Sequence, residues 1–139
     1  METLSRRGTA APQRLPVRVV QFGEGNFLRA FADWMIDVMN ERLGLGYGVA
    51  VVQPIERGTA SVLEAQDGLY TTLLAGTRDG APFEERRMIG CVSRAFSPYE
   101  RYDEFLRLAE EPGLMLCLSN TTEAGIAFDA RDLPEQDTE

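Results

Sequence analysis

The chain has 139 residues, 44% of them hydrophobic and 26% charged, which is typical of one soluble globular domain and not of a disordered segment. Its 22 acidic and 14 basic residues give a net charge of −8, which repels phosphate backbones and anionic lipids, so we expect no nucleic acid and no membrane among its partners. No apolar run approaches the ~20 residues of a membrane-spanning helix, and the N-terminal segment lacks the apolar core of a secretory signal.

Two residue types that commonly move protons are missing. The chain has no histidine, and all 14 of its basic residues are arginines, which stay protonated and cannot act as general bases. Acid–base chemistry within this chain would therefore rest on a carboxylate, a tyrosine or a cysteine. Cys91 and Cys117 lie far apart in apolar contexts. We interpret both as buried, reduced thiols, which suits a cytoplasmic protein.

Two short apolar runs predict a parallel sheet. Residues 1–16 are expected to form a mobile arm, and Val17–Phe22, rich in β-branched residues, then stops at a glycine as a buried strand does. Gly48–Pro54 is a second continuous apolar run. Because a helical pattern joins the two runs, we interpret them as a βαβ unit whose sheet is covered on both faces.

The segment between these strands has the spacing of an amphipathic helix. From Asn26 onward, apolar residues recur every three or four positions. Asn26 is the predicted N-cap, and Gly44 or Gly46 is predicted to end the helix. Phe27 and Trp34 lie on the apolar stripe, so we expect both in the core, with a ligand contact as the alternative for Phe27.

The middle of the chain predicts an antiparallel insertion. The runs Leu69–Leu74 and Phe83–Val92 flank a turn-like stretch in which Asp79-Gly80 favours a hairpin. The four charged residues from Glu84 to Arg87 are expected to form a solvated face of this hairpin.

The last third predicts a helix, a strand and a tail. Ser97-Pro98 is a helix start, with serine as the cap and proline at the first helical position. We interpret Leu114–Ser119 as another buried strand and residues 129–139 as an acidic tail. The predicted fold class is therefore α/β: a Rossmann-like, doubly wound, mostly parallel sheet with an antiparallel hairpin insertion, over residues 17–128.

Glycines between the first strand and the first helix favour a dinucleotide site. Gly23 would allow the tight turn, and Gly25 would let the backbone approach a pyrophosphate at the helix N-terminus. The third glycine of the usual fingerprint is replaced by Leu28, so the motif alone is weak. A strand-to-helix turn that binds no ligand would look similar.

The end of the second strand leaves the choice of dinucleotide open. A carboxylate that takes the ribose hydroxyls is usually found there. Gln53-Pro54 stands there instead, with Glu56 two residues later. We expect Gln53 to contact the ribose without rejecting a 2′-phosphate, so discrimination between NAD and NADP is predicted to be weak.

Three separated motifs carry a family resemblance. They are QFGEGNFLRAFADW (residues 21–34), QDGLYTTL (66–73) and SNTTEAGI (119–126). In this order and with these gaps, the chain from Met1 to about Phe128 resembles the N-terminal domain of the mannitol dehydrogenase family, the long-chain polyol and uronate dehydrogenases. That family also places Phe and a following Arg where other dehydrogenases keep the third glycine.

The resemblance implies NAD as the cofactor, and the interconversion of a keto-uronate and its aldonate as the reaction. It also implies a second, mostly helical domain with a catalytic lysine and its assisting Asn and His, none of which exists here, so that this chain is the cofactor-binding half of an enzyme. The residues expected to bind the cofactor are Val19, Val20, Gln21, Phe22, Gly23, Glu24, Gly25, Asn26, Phe27, Leu28, Arg29, Ala30, Gln53, Asn120 and Thr121. No metal site and no catalytic residue is expected within the chain.

Several residues keep two interpretations. Arg29 could reach a phosphate or a substrate carboxylate, or could be a surface arginine. Asn120 and Thr121 follow a parallel strand, where they would meet the nicotinamide end of the cofactor. Glu123 fits a helix start better than a role at the substrate.

Two other functional classes remain open from the sequence. One is a non-catalytic module that binds NAD without turning over a substrate. The other is a methyltransferase-like domain that uses the glycine loop for S-adenosylmethionine. An oxidoreductase of the same family acting on a different polyol or uronate is a third alternative.

Overall fold

In the computed structural model, residues 4–7, 9 and 13–121 are described, and a parallel sheet of four strands forms the centre. Its strands stand in the order β5-β2-β1-β6, and a separate antiparallel pair is formed by β3 and β4. The strands are β1 (Val17–Phe22), β2 (Gly48–Val52), β3 (Tyr70–Arg78), β4 (Ala81–Ile89), β5 (Val92–Phe96) and β6 (Leu116–Ser119). The mostly parallel sheet and the hairpin confirm the predicted fold class.

Helices connect these strands. A π-helical turn (Leu28–Ala32) leads into α1 (Asp33–Leu43), and α2 (Ala60–Ala65) and α3 (Tyr102–Arg107) follow, α3 continuing as a 3₁₀ turn (Leu108–Glu110). Gly44 ends α1 in the left-handed conformation with φ of 66°, which confirms the predicted stop. The predicted cap is wrong. The helix already begins with a hydrogen bond from the Arg29 N–H to the Gly25 carbonyl, so Asn26 lies inside its first turn.

The central strands β1 and β2 are covered on both faces, as expected. One face packs in a core cluster of β1, β2, α1 and α2 residues that includes Val19, Val51, Ile36 and Leu63. The opposite face packs against α3 through a second cluster that includes Val20, Val52, Phe96 and Leu108. Apolar runs without alternation in β1 and β2 follow from this double coverage.

The hairpin forms as predicted, but its charged face is not wholly solvated. Asp79 and Gly80 have φ of 53° and 78°, the two positive values that a type I′ turn requires. Arg87 on β4 pairs with Asp37 (2.7 Å) and Glu41 (2.6 Å) of α1. This ion pair fastens the hairpin to the helix, so the expectation of a solvent-facing Arg87 is wrong.

Two elements were not predicted. Val92–Phe96 forms its own parallel strand, β5, because only Gly90-Cys91 separates it from β4 and the two runs read as one. The short helix α2 lies in a stretch of mixed composition without clear periodicity. The Ser97-Pro98 start is also too early: Ser97 begins a turn, and α3 starts at Tyr102.

Strand β6 differs from its prediction as a buried strand. It pairs with β1 alone, and within the described residues nothing pairs with its other edge. Leu116 is 46% exposed, and Cys117, expected to be buried, is exposed as well, whereas Cys91 is buried.

The described part of the N-terminal arm is docked, not free. Ser5 Oγ donates to the Asp67 carboxylate (2.8 Å), and the Arg6 guanidinium donates to the carbonyls of Gly90 and Val92 (2.9 Å each). Arg14 Nη2 reaches Asp67 at 3.2 Å. Hydrogen bonds from Ser5, from the Arg6 backbone and from Arg14 lower the pKa of Asp67 to about 2. The expected mobility of the arm is therefore wrong for these residues.

Candidate functional site

The loops that leave the four parallel strands form the candidate site. Gly23, Gln53, Ser97 and Asn120 are the first residues after β1, β2, β5 and β6, respectively. From β1 the chain proceeds to β2 and β5 on one side, and then to β6 on the other. Doubly wound sheets bind ligands at the carboxyl ends of their strands, where the strand order reverses in this way.

Three of the sequence-predicted site residues lie inside the sheet. Val19, Val20 and Gln21 are buried, and their side chains pack in the interior or bond within the first loop. Their side chains therefore support the edge, so a cofactor contact of these residues would be made by their backbone. Leu28, also predicted as a contact, is buried against Gly23.

The two positions of the first loop hold glycine for different physical reasons. Gly23 has φ of +118°, a conformation that side chains rarely adopt, so it is required by the backbone. A Cβ at Gly25 would meet nothing within 4 Å, so this glycine leaves open space beside the loop. That space is where a pyrophosphate would lie against the backbone.

Backbone donors adjoin this space. Since the first helical bond runs from the Arg29 N–H to the Gly25 carbonyl (3.1 Å), the N–H groups of residues 26–28 have no acceptor within the helix. The positive end of the helix dipole lies at the same place. Open space beside free helical amides is the arrangement that binds a phosphate group at a helix N-terminus.

Gln53 has a structural task that the sequence did not indicate. Its side chain is 4% exposed; Nε2 donates to the carbonyls of Ile55 (2.8 Å) and Glu56 (3.1 Å), and Oε1 accepts from the Ala60 N–H (3.1 Å). A ribose hydroxyl could use this amide only by displacing one of these bonds. The geometry therefore argues against the expected ribose contact.

A cavity of about 240 Å³ lies between the loops after β2 and β5. Within its lining, Arg101 donates from two nitrogens to the Glu64 carboxylate at 2.9 Å each. Ser97 Oγ is buried without a hydrogen-bond partner. A polar cavity with an unpaired hydroxyl is suited to a polar ligand group. The lining residues are Gln53, Glu56, Arg57, Gly58, Ala60, Ser61, Glu64, Phe96, Ser97, Glu100 and Arg101.

Glu24 joins the glycine loop to the loop after β2. Its Oε1 accepts a hydrogen bond from the Thr59 N–H at 3.3 Å, and a Cβ on Gly58 would collide with this same oxygen. The Gly23 N–H also donates to the Val52 carbonyl (2.9 Å). The Glu24 carboxylate is therefore located at the carboxyl end of β2.

A buried polar network supports the start of the helix. The Tyr70 hydroxyl lies 2.9 Å from both the Arg29 carbonyl and Asp33 Oδ2, but its one proton can serve only one of them. Burial raises the pKa of the Asp33 carboxyl to about 6, opposed by hydrogen bonds from Tyr70 and Gln21. A protonated Asp33 can donate to the Tyr70 oxygen, which leaves the Tyr70 proton for the Arg29 carbonyl.

Sequence reasoning missed Asp33 and Tyr70. Asp33 is a charged residue among the apolar positions of the helical pattern, yet it is 0% exposed. Tyr70 lies within the QDGLYTTL motif, which was the available signal. What the motif did not reveal is its partner, because the two residues are 37 positions apart.

The remaining predicted residues lie around the same edge. The Arg29 guanidinium donates to Asn26 Oδ1 (2.8 Å) and lies 5.5 Å from the centre of the Tyr70 ring. Phe27 is 57% exposed, so its expected place in the core is wrong, whereas Trp34 packs against the core as predicted. Asn120 and Thr121 are exposed and follow Ser119, which pairs with Phe22. Glu123 lies outside the described residues.

Two kinds of feature are absent from residues 4–7, 9 and 13–121. No group of three or more His, Cys, Asp or Glu side chains there could hold a metal ion. No helix in this part of the chain is long and apolar enough to cross a membrane.

The fold has relatives of known structure. A substrate-free D-sorbitol dehydrogenase matches with a TM-score of 0.65 and 18% identity, over 88% of this chain and 28% of that chain. A ternary complex of Pseudomonas fluorescens mannitol 2-dehydrogenase with NAD and D-mannitol matches with a TM-score of 0.65 and 24% identity, over 86% and 24%. At these identities the likeness concerns the fold.

Sequence comparison gives the family. Altronate oxidoreductases of Shigella sonnei (strain Ss046) and Escherichia coli O1:K1 / APEC are each 50% identical to the chain over 133 residues, 95% of it. These residues cover 27% of the relatives, so the chain spans about a quarter of their length. A family model described as the mannitol dehydrogenase Rossmann domain matches residues 17–137. The chain therefore belongs to the mannitol dehydrogenase family and carries its Rossmann domain.

Proposed function

We propose that this chain is the NAD-binding domain of an oxidoreductase that interconverts D-tagaturonate and D-altronate. The observation that carries the cofactor assignment is the open space at Gly25 beside the amides of residues 26–28, which have no acceptor within the helix. The substrate assignment is supported by the 50% identity to altronate oxidoreductases. Membership of the mannitol dehydrogenase family disfavours the methyltransferase alternative.

Three groups of residues are assigned to different parts of the cofactor. The amides of residues 26–28 hold the pyrophosphate. The cavity between the loops after β2 and β5 takes the adenosine half. Asn120 and Thr121 then lie at the nicotinamide end. NAD, when bound, supplies the hydride acceptor of the reaction, and NADH the donor.

The proton needed for ketone reduction comes from outside this chain. The sequence has no lysine and no histidine, and neither Asn120 nor Thr121 is a general acid. The family resemblance assigns that role to a lysine of a helical domain. In this proposal residues 17–128 form the cofactor domain, 1–16 its N-terminal arm and 129–139 a connecting tail.

An exposed apolar surface supports the presence of that helical domain. Phe27, Phe31 and Leu73 are each more than half exposed, and a cavity of about 210 Å³ lies between the helix and strand β3. Contiguous exposed apolar side chains on one side of a domain mark a surface that another protein surface covers. Both cysteines are free thiols, which supports a cytoplasmic location.

A non-catalytic NAD-binding module is the second candidate. The glycine loop and its amides would serve such a module equally well, because it needs no proton donor. It differs from the first proposal in one observable: addition of the helical domain of a related altronate oxidoreductase would not produce turnover.

Calorimetry tests the cofactor assignment. We expect NAD to bind the wild type and S-adenosylmethionine not to bind. In Gly25→Val the added side chain fills the space of the pyrophosphate, so NAD binding should be lost while circular dichroism stays unchanged. Gly76→Val on β3, remote from the edge, is the matched control and should bind NAD normally. Unchanged NAD affinity in Gly25→Val would refute the assignment.

A further inference from the structure

We infer that the Glu24 carboxylate binds the adenosine ribose and makes the site select NAD against NADP. This inference rests on the proposed function. It replaces the sequence-based expectation of weak discrimination with Gln53 as the ribose contact.

The residue at the end of β2 cannot easily serve the ribose. Sites of this fold usually have a carboxylate there, which accepts hydrogen bonds from the ribose hydroxyls. The Gln53 side chain is buried, and its amide is used by Ile55, Glu56 and Ala60. The usual group is thus missing from its usual position.

Glu24 brings a carboxylate to the same place from the neighbouring loop. Its Oε1 bonds to the Thr59 N–H, in the loop that follows β2. Close approach is possible because residue 58 is a glycine: any Cβ there would collide with Glu24 Oε1 and with the Gln53 amide. This contact could not be predicted from local spacing, since Glu24 and Thr59 are 35 positions apart.

The Glu24 carboxylate has hydrogen-bond acceptor positions left for a ligand. A carboxylate has about four acceptor positions on its two oxygens. The bond to Thr59 is a long one of 3.3 Å at an exposed position, and no ion pair of Glu24 is found within the described residues. Both ribose hydroxyls can therefore donate to this group.

The surrounding charges favour the same cofactor. Two of the cavity's charged residues neutralise each other, since Arg101 is paired with Glu64. Glu56 and Glu100 add negative charge to the lining, against a single further cation, Arg57. A 2′-phosphate at the ribose would thus meet net negative charge, with the Glu24 carboxylate nearest to it.

The test compares NAD and NADP affinities of the 139-residue chain by calorimetry. We expect the wild type to bind NAD at least ~10-fold more tightly than NADP, and Glu24→Gln to reduce that ratio by at least ~5-fold, because like-charge repulsion is removed. Glutamine keeps an oxygen that can accept from Thr59, so the thermal unfolding midpoint should stay unchanged.

Glu56→Gln is the matched control, because it removes a carboxylate from the lining of the neighbouring cavity and leaves the glycine loop unchanged. Its ratio should stay within ~2-fold of the wild type. The inference is overturned if Glu24→Gln leaves the ratio unchanged, if Glu56→Gln alone lowers it, or if the wild type prefers NADP. If the wild type binds neither dinucleotide, the proposed function fails and this inference falls with it.

Discussion

Strands β2 and β6 lie on opposite sides of β1, and they differ in burial although both are apolar in sequence. All five residues of β2 are buried, whereas none of the four residues of β6 is. The difference is one of neighbours. Strand β2 is paired on both sides and covered on both faces, while β6 is paired only with β1 in the described part of the chain. An apolar strand is therefore buried only where neighbouring elements pair with its edges and cover its faces.

The two sides of the candidate site also differ in how far protein covers them. On the β2 side, the loops after β2 and β5 line a cavity, so described residues of this chain surround the region proposed for adenosine. On the β6 side, Asn120 and Thr121 are exposed. Within the described residues, the region proposed for nicotinamide and substrate is therefore open to solvent.

The largest expected effect is the absence of turnover. The chain mixed with NADH and D-tagaturonate should show no oxidation of NADH, because the open side has no proton donor and does not exclude water. Absorbance of the reduced nicotinamide measures this, with an enzyme-free sample as the control. Steady oxidation that is lost in Glu123→Gln would show that the catalytic group lies in this chain.

Substituting one leucine on the covered side and one on the open side compares their contributions to the free energy of unfolding. Leu63 of α2 is 2% exposed and Leu116 of β6 is 46% exposed. We expect Leu63→Ala to lower the free energy of unfolding by ~2–5 kcal/mol, since it creates a cavity. Leu116→Ala should cost less than ~1 kcal/mol, because its side chain is already about half in water. Urea unfolding measures both, and equal losses would contradict the contrast.

The buried acid on the covered side gives a smaller effect that depends on pH. Burial raises the pKa of Asp33 to about 6 from 3.8, so the folded state binds the proton more tightly than the unfolded state. The free energy of unfolding therefore falls as pH rises from about 4 through 6 and stays reduced above it, by about 3 kcal/mol at most.

Asp33→Asn should remove this loss, because asparagine stays neutral. We expect the variant to gain stability relative to the wild type at pH 8 and to lose that gain at pH 4.5, as measured by urea unfolding at both values. Asp103→Asn, an exposed residue of α3, is the matched control and should behave like the wild type. An unchanged pH dependence in Asp33→Asn would show that Asp33 is ionised in the folded state.

Local signals in the sequence predicted much of the fold. Strand β1 was predicted with its bounds, and the Asp79-Gly80 hairpin and the Gly44 helix end follow from backbone preferences of single residues. Strand β5 was missed because no turn residue pair separates it clearly from β4. Exposure of β6 could not be read from LCLS, since it depends on what lies beside the strand.

The site was predicted less well than the fold, because its side chains have distant partners. Gly23 and Gly25 were recognised from a local pattern. The side-chain contacts of Gln53, Asp33 and Glu24 form only when the chain folds. One example is the hydrogen bond from the Thr59 N–H to the Glu24 carboxylate. Spacing in a sequence can suggest which loops lie close together, but it does not show which of their side chains are already hydrogen-bonded within the protein.

The π-helical turn at Leu28–Ala32 explains why the apolar stripe of the first helix was misread. Leu28 and Asp33 are both buried, five residues apart, whereas an α-helix brings residues three or four apart to one side. The wide turn therefore shifts the helical phase by one residue. Phe31 faces outward and Asp33 faces inward as two results of this single shift, so one widened turn both buries a carboxylate under the glycine loop and presents an aromatic ring outside it.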